Sequence, residues 1–355
     1  MKKLAESRKK GNSDYGFSVK KIYLLYMEST ELQQAFFATV KNSIQPHLSM
    51  VDEIADLLQL SYDSVYRRVR GEKPITMVEL KTLCEHFHIS LDHVLELKTD
   101  SVVFQAPNIN KENEEFIDYL QGMLKQLRYF NSFGKRQMLY LCKDLPFWHF
   151  YCYPEIGAFK TFCWIKTIRN NAAYHNKKFS LAEYKFEDCY AIGQQILQEY
   201  CNMPSVELWN YESLTSSIRQ VEYYKDAGLF SNKEDFQVVL NSLDKTLDYL
   251  QEQAEVGRKF MPGATELSYK APYEFYVNEV VIGNNTIMVE LDDNQLCFIT
   301  YNIFNYLMTR DARFTSQSIQ SFHNLKSRST IISGTGEKFR NRFFGYLHER
   351  VAALR

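Results

Sequence analysis

The sequence predicts a mainly α chain: a small N-terminal bundle of short helices, then a larger α-rich domain with a small antiparallel β element near the C-terminus. Three observations carry that expectation. Between Ser49 and Gly71, apolar residues recur at three- and four-residue spacing in two short runs with a tight joint between them. Longer helical periodicities occupy residues 114–130, 180–200 and 233–253. Alternating β-rich runs are concentrated at Tyr273–Ile282, Thr286–Leu291 and Leu296–Thr300.

Along the chain, residues 1–14 (MKKLAESRKKGNSD) hold five basic and two acidic side chains with little apolar material, the composition of a disordered arm. Residues 15–98 form the first domain, opened by Tyr15–Met27 with Phe17, Ile22, Leu25 and Tyr26 on one helical face. Residues 99–110 lose helical periodicity around Pro107 and two asparagines, as a linker does. Residues 111–262 are expected to be mainly helical, with a β-prone interruption at Gln137–Leu145. Residues 263–355 are an α+β region. There Gly283, Asn284 and Asn285 separate two strands and the Asp292-Asp293-Asn294 turn leads to a third, as a hairpin or meander, and helices at 315–325 and 337–353 flank a β-branched run at Thr330–Ile332.

Bulk properties bound the function. The chain has 355 residues, 45% of them hydrophobic and 15% aromatic, enough for packed cores in two or three domains. Its apolar runs are too short to span a bilayer and no signal peptide opens it, so a soluble, cytoplasmic protein without a membrane partner is expected. The seven cysteines (84, 142, 152, 163, 189, 201 and 297) show no C-x-x-C pair and no histidines at ligand spacing. Free thiols, no metal and no cofactor are the expectation. No G-x-S-x-G or H-E-x-x-H occurs, and no enzyme activity is expected. A net charge of −1 supplies no global attraction for nucleic acid, so any such role must rest on local pattern.

That local pattern is SMVDEIADLLQLSYDSVYRRVRG, Ser49 to Gly71. Ser49 caps a first helix, and Ile54, Ala55 and Leu58 share its inner face, with Ala55 small enough for a second helix to cross closely. The first helix ends near Gln59, Leu60 plugs the turn, and Ser61 caps a second helix that runs to Arg70 and stops at Gly71. At about 100° per residue, Val65 and Val69 fall inside while Asp63, Tyr66, Arg67 and Arg70 fall outside. From Glu31 to Lys98 there are seven basic against ten acidic side chains, yet four of the seven basic ones lie between Arg67 and Lys73.

Ile54-Ala55, Leu60-Ser61, Val65 and Arg70-Gly71 resemble the helix-turn-helix of the phage repressor and Cro family (XRE-like regulators), and the resemblance extends over about 65 residues. Thr76, Leu80, Leu83 and Phe87, then Ile89-Ser90-Leu91, are similar to that family's last two helices. The departures are Gln59 where the family keeps glycine, Met50 and Val51 where it is often polar, and Val69 where it often has an acid. The resemblance implies binding of double-stranded DNA as a homodimer. It places Tyr62, Asp63, Tyr66 and Arg67 against bases and Ser61, Arg68, Arg70 and Lys73 on the phosphate backbone. Tyr62 lies near the valine face and is equally readable as a core residue.

The remainder is less explicit. Pro146 to Trp164 packs eight aromatic side chains and two prolines into nineteen positions, material for a core or for an apolar cavity. Ser327 to Phe344 carries a Gly334-Thr335-Gly336 turn before a helix, with a local charge of +4 from Lys326, Arg328, Lys338, Arg340 and Arg342 against Glu337. Gly334, Gly336, Arg340 and Arg342 are thus a candidate anion site, without the spacing of a P-loop. The reading is a transcription regulator whose larger part dimerises and senses a small-molecule or protein effector. Its alternatives are a constitutive repressor or protein-docking module without an effector, and an enzyme tethered to DNA.

Overall fold

The computed structural model describes residues 29–41, 44, 48–87, 89, 91–94, 101–106, 116–265, 268, 270–280, 282–292, 294–301 and 305–355. The basic arm 1–14, the helical face 15–27 and half of the 99–110 linker (99, 100 and 107–110) lie outside them. The chain divides into two compact units, Met1–Val103 and Phe104–Arg355.

The first unit is helical. Helix α1 covers residues 29–41 and is followed by α2 (Met50–Leu58), α3 (Tyr62–Val69), α4 (Met77–Phe87) and α5 (Leu91–Val94). Phe36, Phe37 and Val40 of α1 meet Ile54 and Ala55 of α2, Val65 of α3 and Leu83 of α4 in one small core. No helix this short is stable alone in water; burial of these apolar faces holds each in place. Gly71 ends α3 at φ +78°, and a Cβ there would stand 2.5 Å from Cγ2 of Thr30, so both the backbone conformation and the closeness of α1 require glycine.

The second unit corrects the expected fold class. Instead of a small antiparallel element near the C-terminus, it is built on a seven-stranded mixed sheet, and the described chain is α/β in this unit rather than mainly α. The strands are β1 (Arg136–Cys142), β2 (Ser205–Trp209), β3 (Tyr273–Val277), β4 (Thr286–Leu291), β5 (Asn294–Thr300), β6 (Tyr306–Thr309) and β7 (Thr330–Ile331). Their spatial order is β6-β5-β4-β1-β2-β3-β7. Strands β1, β2 and β3 run parallel, with Met138 opposite Ser205 and Ser205 opposite Tyr273. Parallel neighbours need long crossovers. The first crossover contains α7 (Pro154–Cys163) and α8 (Glu187–Cys201), the second α9 (Thr215–Asp226) and α10 (Lys233–Val256).

The expected hairpin between 273–282 and 286–291 does not form. Strand β3 pairs with β2 and β7, whereas β4 pairs with β1 and β5, which puts the two runs on opposite sides of the parallel pair. Each strand finds more buried partners in the middle of a large sheet than a two-stranded ribbon offers. The expected helix at 180–200 starts only at Glu187.

Period-two alternation divides the sheet into faces. Met138, Tyr140, Trp209, Phe275 and Val289 enter the large core shared with α6 (Phe116–Asn131), α7, α8, α10 and α12 (Glu337–Ala352). Leu139, Val206, Leu208, Met288 and Cys297 face the other way, against Ile319 and Phe322 of α11 (Ala312–Lys326). The aromatic segment after Pro146 is core: Trp148, Phe150, Tyr151, Phe159, Phe162 and Trp164 are all buried in the larger cluster.

Glu207 and Lys259 are two of the charged groups fully buried on that helix-rich side. Glu207, in the middle of β2, accepts hydrogen bonds from the Tyr200 hydroxyl, from Trp209 Nε1 at 2.8 Å and from the Tyr273 hydroxyl at 2.8 Å. Lys259 donates to the carbonyls of Tyr200 at 3.2 Å and Met203 at 2.8 Å and sits over the Tyr200 ring, 3.3 Å from its centroid. Burial draws the Lys259 ammonium down to about 7, against the opposing pull of Glu207.

Candidate nucleic-acid interface

The two-helix element is shaped by its caps. The Ser49 hydroxyl accepts from the Asp52 amide at 3.4 Å and the Ser61 hydroxyl from the Ser64 amide at 3.4 Å, so each helix has a side-chain N-cap. Between them Gln59 takes φ 52° and ψ 49°, the left-handed conformation that glycine adopts without cost. Its side chain compensates in part, since Nε2 donates to the Asp56 carbonyl at 2.7 Å, an acceptor the ended helix leaves open. The Leu60 amide returns to the Ala55 carbonyl at 3.0 Å and closes the turn.

Helix α3 then presents one face to solvent. Ser61, Tyr62, Asp63, Tyr66, Arg67 and Arg70 are exposed, as is Lys73 in the turn beyond. Tyr62 is 57% exposed, which removes its alternative as a core residue: at the first position of the helix it overhangs the end of the core instead of entering it. Arg67 and Arg70 are not free cations. Glu72 lies 3.9 Å from the first and 3.1 Å from the second, in pairs with both partners about half exposed.

Arg68 is a correction. Expected on the phosphate backbone, it is 3% exposed and turned inward. Its Nη2 meets Glu79 Oε1 at 2.6 Å, its Nε meets Glu79 Oε2 at 3.2 Å, and Nη1 donates to the carbonyl and hydroxyl oxygens of Ser64 at 3.1 and 2.8 Å. The reason is geometric: Arg68 lies three residues beyond Val65, about 60° from it around the helix, and so leans to the valine side. Burial pushes the Glu79 carboxyl up, but the Arg68 hydrogen bond and the Thr76 amide outweigh it and hold the group below its ordinary range.

Several residues that build this surface were missed in the sequence. Gln33 of α1 donates to the carbonyls of Arg68 at 2.7 Å and Lys73 at 2.9 Å and accepts from the Ile75 amide at 2.9 Å; Gln34 donates to the Arg70 carbonyl at 2.9 Å. Together they fasten the turn that carries Arg70 and Lys73. No local spacing announces contacts across 35 to 42 residues of chain. Glu79 was readable: Thr76 and Glu79 form a reciprocal capping box, with Thr76 N to Glu79 Oε2 at 2.9 Å and Glu79 N to Thr76 Oγ1 at 3.2 Å.

The second candidate, the anion site at the Gly-Thr-Gly turn, is not assembled. Arg340 is 3% exposed and its Nη1 donates to the carbonyls of Ile332 at 3.1 Å and Gly334 at 2.9 Å, so it holds the turn from within. A Cβ on Gly336 would stand 2.5 Å from the Ile331 carbonyl oxygen; the glycine is there for a close backbone approach. Gly334 takes φ +60°, and its amide donates to the Ala254 carbonyl at 2.9 Å. Arg342 points elsewhere, to Glu279 at 3.8 Å. Packing the start of α12 against β7 turns Arg340 inward, where its Nη1 serves the turn and its buried Nε has no hydrogen-bond partner.

Among the described residues no group of three His, Cys, Asp or Glu side chains is placed to hold a metal ion, and no helix is long and apolar enough to cross a membrane. All seven cysteines are free thiols. The BetR domain, which is associated with transcription regulators, matches residues 44–203, a little under half of the chain. That match begins before α2, includes α3, and continues through β1 to the end of α8 in the second unit. No curated protein and no solved structure matches the chain.

Proposed function

We propose that the first unit binds double-stranded DNA sequence-specifically through α3, and that the chain is a cytoplasmic, non-enzymatic transcription regulator acting as a homodimer. The observation that carries the reading is the exposed face of α3, where Tyr62, Asp63, Tyr66 and Arg67 stand on a helix capped at Ser61 and braced from below by Val65 and Arg68. A rigid short helix with arginine and tyrosine outward suits the major groove, where arginine reads guanine edges and tyrosine and aspartate offer further hydrogen-bonding groups. Arg70 and Lys73, at the end of the helix and in the turn held by Gln33 and Gln34, are assigned to the phosphates. Ser61, at the helix start, has the same role. The BetR match over residues 44–203 supports a regulatory role.

The test is retention of fragmented host DNA by the purified chain, followed by sequencing, with an Arg67→Ala, Arg70→Ala variant in parallel. Enrichment of a paired half-site that the variant loses supports the reading, including the dimer. Equal retention by both proteins, or none at low salt, overturns it and makes α3 a protein-docking face.

A further inference from the structure

We propose that a hollow on α12 in the second unit is a binding site for a small zwitterion of the aromatic α-amino-acid type. The hollow has a volume of about 560 Å³ and is lined by Tyr211, Asn341, Arg342, Gly345, Tyr346 and Glu349. The hollow is shallow and open on one side, so a ligand there keeps part of its surface in solvent. Its position is informative. Tyr211 follows the carboxyl end of β2 by two residues, and Arg342 pairs with Glu279, two residues beyond the carboxyl end of β3. The hollow thus lies beyond the carboxyl ends of two adjacent parallel strands.

The lining has a chemical pattern. Arg342, Gly345, Tyr346 and Glu349 recur at the three- and four-residue spacing that puts side chains on one stripe of a helix. Arg342 and Glu349 are seven residues apart, about 10 Å along the axis. On one stripe of the helix they offer a cation and an anion, partners of opposite sign for the carboxylate and ammonium of one small molecule. The Arg342 pair with Glu279 is long, at 3.8 Å, with both partners more than half exposed, so the guanidinium is easily given up to a carboxylate. Tyr211 and Tyr346 meet edge to face, ring centroids 5.0 Å apart at 86°, and make an aromatic wall against which a third ring can pack.

Gly345 is the independent observation. It sits inside a 16-residue helix, where glycine is unfavourable relative to alanine, and nothing lies within 4 Å of the Cβ it lacks. Packing therefore does not require it. Its effect is to leave the floor of the hollow open midway between Arg342 and Glu349, the place a ligand would occupy.

Isothermal titration of the full chain with L-phenylalanine and L-tryptophan tests this, with phenethylamine and phenylacetate as probes lacking one charge each. Saturable one-to-one binding of the amino acids is expected, and weaker binding of both single-charge probes. Arg342→Gln and Glu349→Gln should each weaken it about ten- to a hundredfold, the loss of one charge-assisted hydrogen bond. Gly345→Leu should raise the melting temperature, because helix propensity improves in open space, and abolish binding. No saturable heat at low-millimolar amino acid, or an affinity unchanged in Arg342→Gln, overturns the proposal. The site lies wholly in the second unit, so the outcome is independent of DNA retention.

Discussion

The Arg68 guanidinium grips both carboxylate oxygens of Glu79, at 2.6 and 3.2 Å, and so ties the last turn of α3 to the first turn of α4. Glu79 also caps its own helix through the Thr76 amide, so one carboxylate joins two elements. The pair is nearly sealed from water, with side chains 4% and 17% exposed. Removing one member of such a pair leaves an uncompensated charge. Arg68→Ala is expected to destabilise the first unit by about 3 kcal/mol, and Arg68→Met by less; urea titrations of both check this. Glu79 has a lowered pKa, so its contribution is complete above the ordinary carboxylate range and lost as pH falls through the depressed value. Acid titration of wild type and Glu79→Gln should therefore converge only once the pH has fallen below the ordinary carboxylate range.

Gln59 holds a left-handed conformation at φ 52° without being glycine. The strain of about 1 to 3 kcal/mol exceeds the extra chain entropy that glycine loses on folding, roughly 0.5 to 1 kcal/mol. Gln59→Gly is expected to raise stability by about 1 kcal/mol, despite losing the hydrogen bond to Asp56. An unchanged or lower denaturation midpoint would show that this side-chain bond matters more than the backbone.

Glu72 stands beside both Arg67 and Arg70. Exposed pairs contribute little to stability, so Glu72→Gln should leave the melting temperature in place. Removing a negative charge from the proposed phosphate face should nonetheless tighten DNA binding by about threefold at low salt. A binding isotherm at several salt concentrations measures this; unchanged affinity would mean that Arg67 and Arg70 leave Glu72 without cost when DNA arrives.

Lys259 provides a pH test of the second unit. With its folded pKa lowered to about 7 and an ordinary value near 10.5, the unfolded chain binds more protons between those limits. Stability therefore rises with pH through that window as far as this group is concerned. The buried thiols of Cys142 and Cys152, raised by burial, act in the opposite direction once free thiols begin to ionise. The clean interval is pH 7 to 8.5. Across it wild type should gain about 1 to 2 kcal/mol relative to Lys259→Met, read from denaturant midpoints.

The two-helix element was largely legible because its determinants are local. Ser49, Ser61, Ile54, Ala55, Val65 and Gly71 each act within one or two helical turns, where spacing translates directly into geometry. For Arg68 helical angle, not charge, decides the placement: its offset from Val65 leans it inward, and the capping spacing of Thr76 and Glu79 offers the partner. The β runs at 137–145, 273–282, 286–291, 296–300 and 330–332 are legible in the sequence, but β2 and the order in which the strands assemble are not, for the opposite reason. Strand β2 is only Ser205–Trp209, it carries Glu207 in its centre, and that carboxylate is tolerable only because Tyr200, Trp209 and Tyr273 converge on it from three elements.

From sequence alone came the two capped helices, the joint at Gln59, the outward set of Tyr66, Arg67 and Arg70, and the longer helices α6, α10, α11 and α12, since periodicity and capping are properties of neighbouring residues. Tertiary structure alone decided that β4 lies beside β1 and not β3, that Arg68 and Arg340 serve the interior, and that Gly345 opens a hollow beyond the ends of β2 and β3. Those outcomes depend on which distant groups become neighbours, because a buried charge or strand is stable only when its partners arrive from elsewhere in the chain.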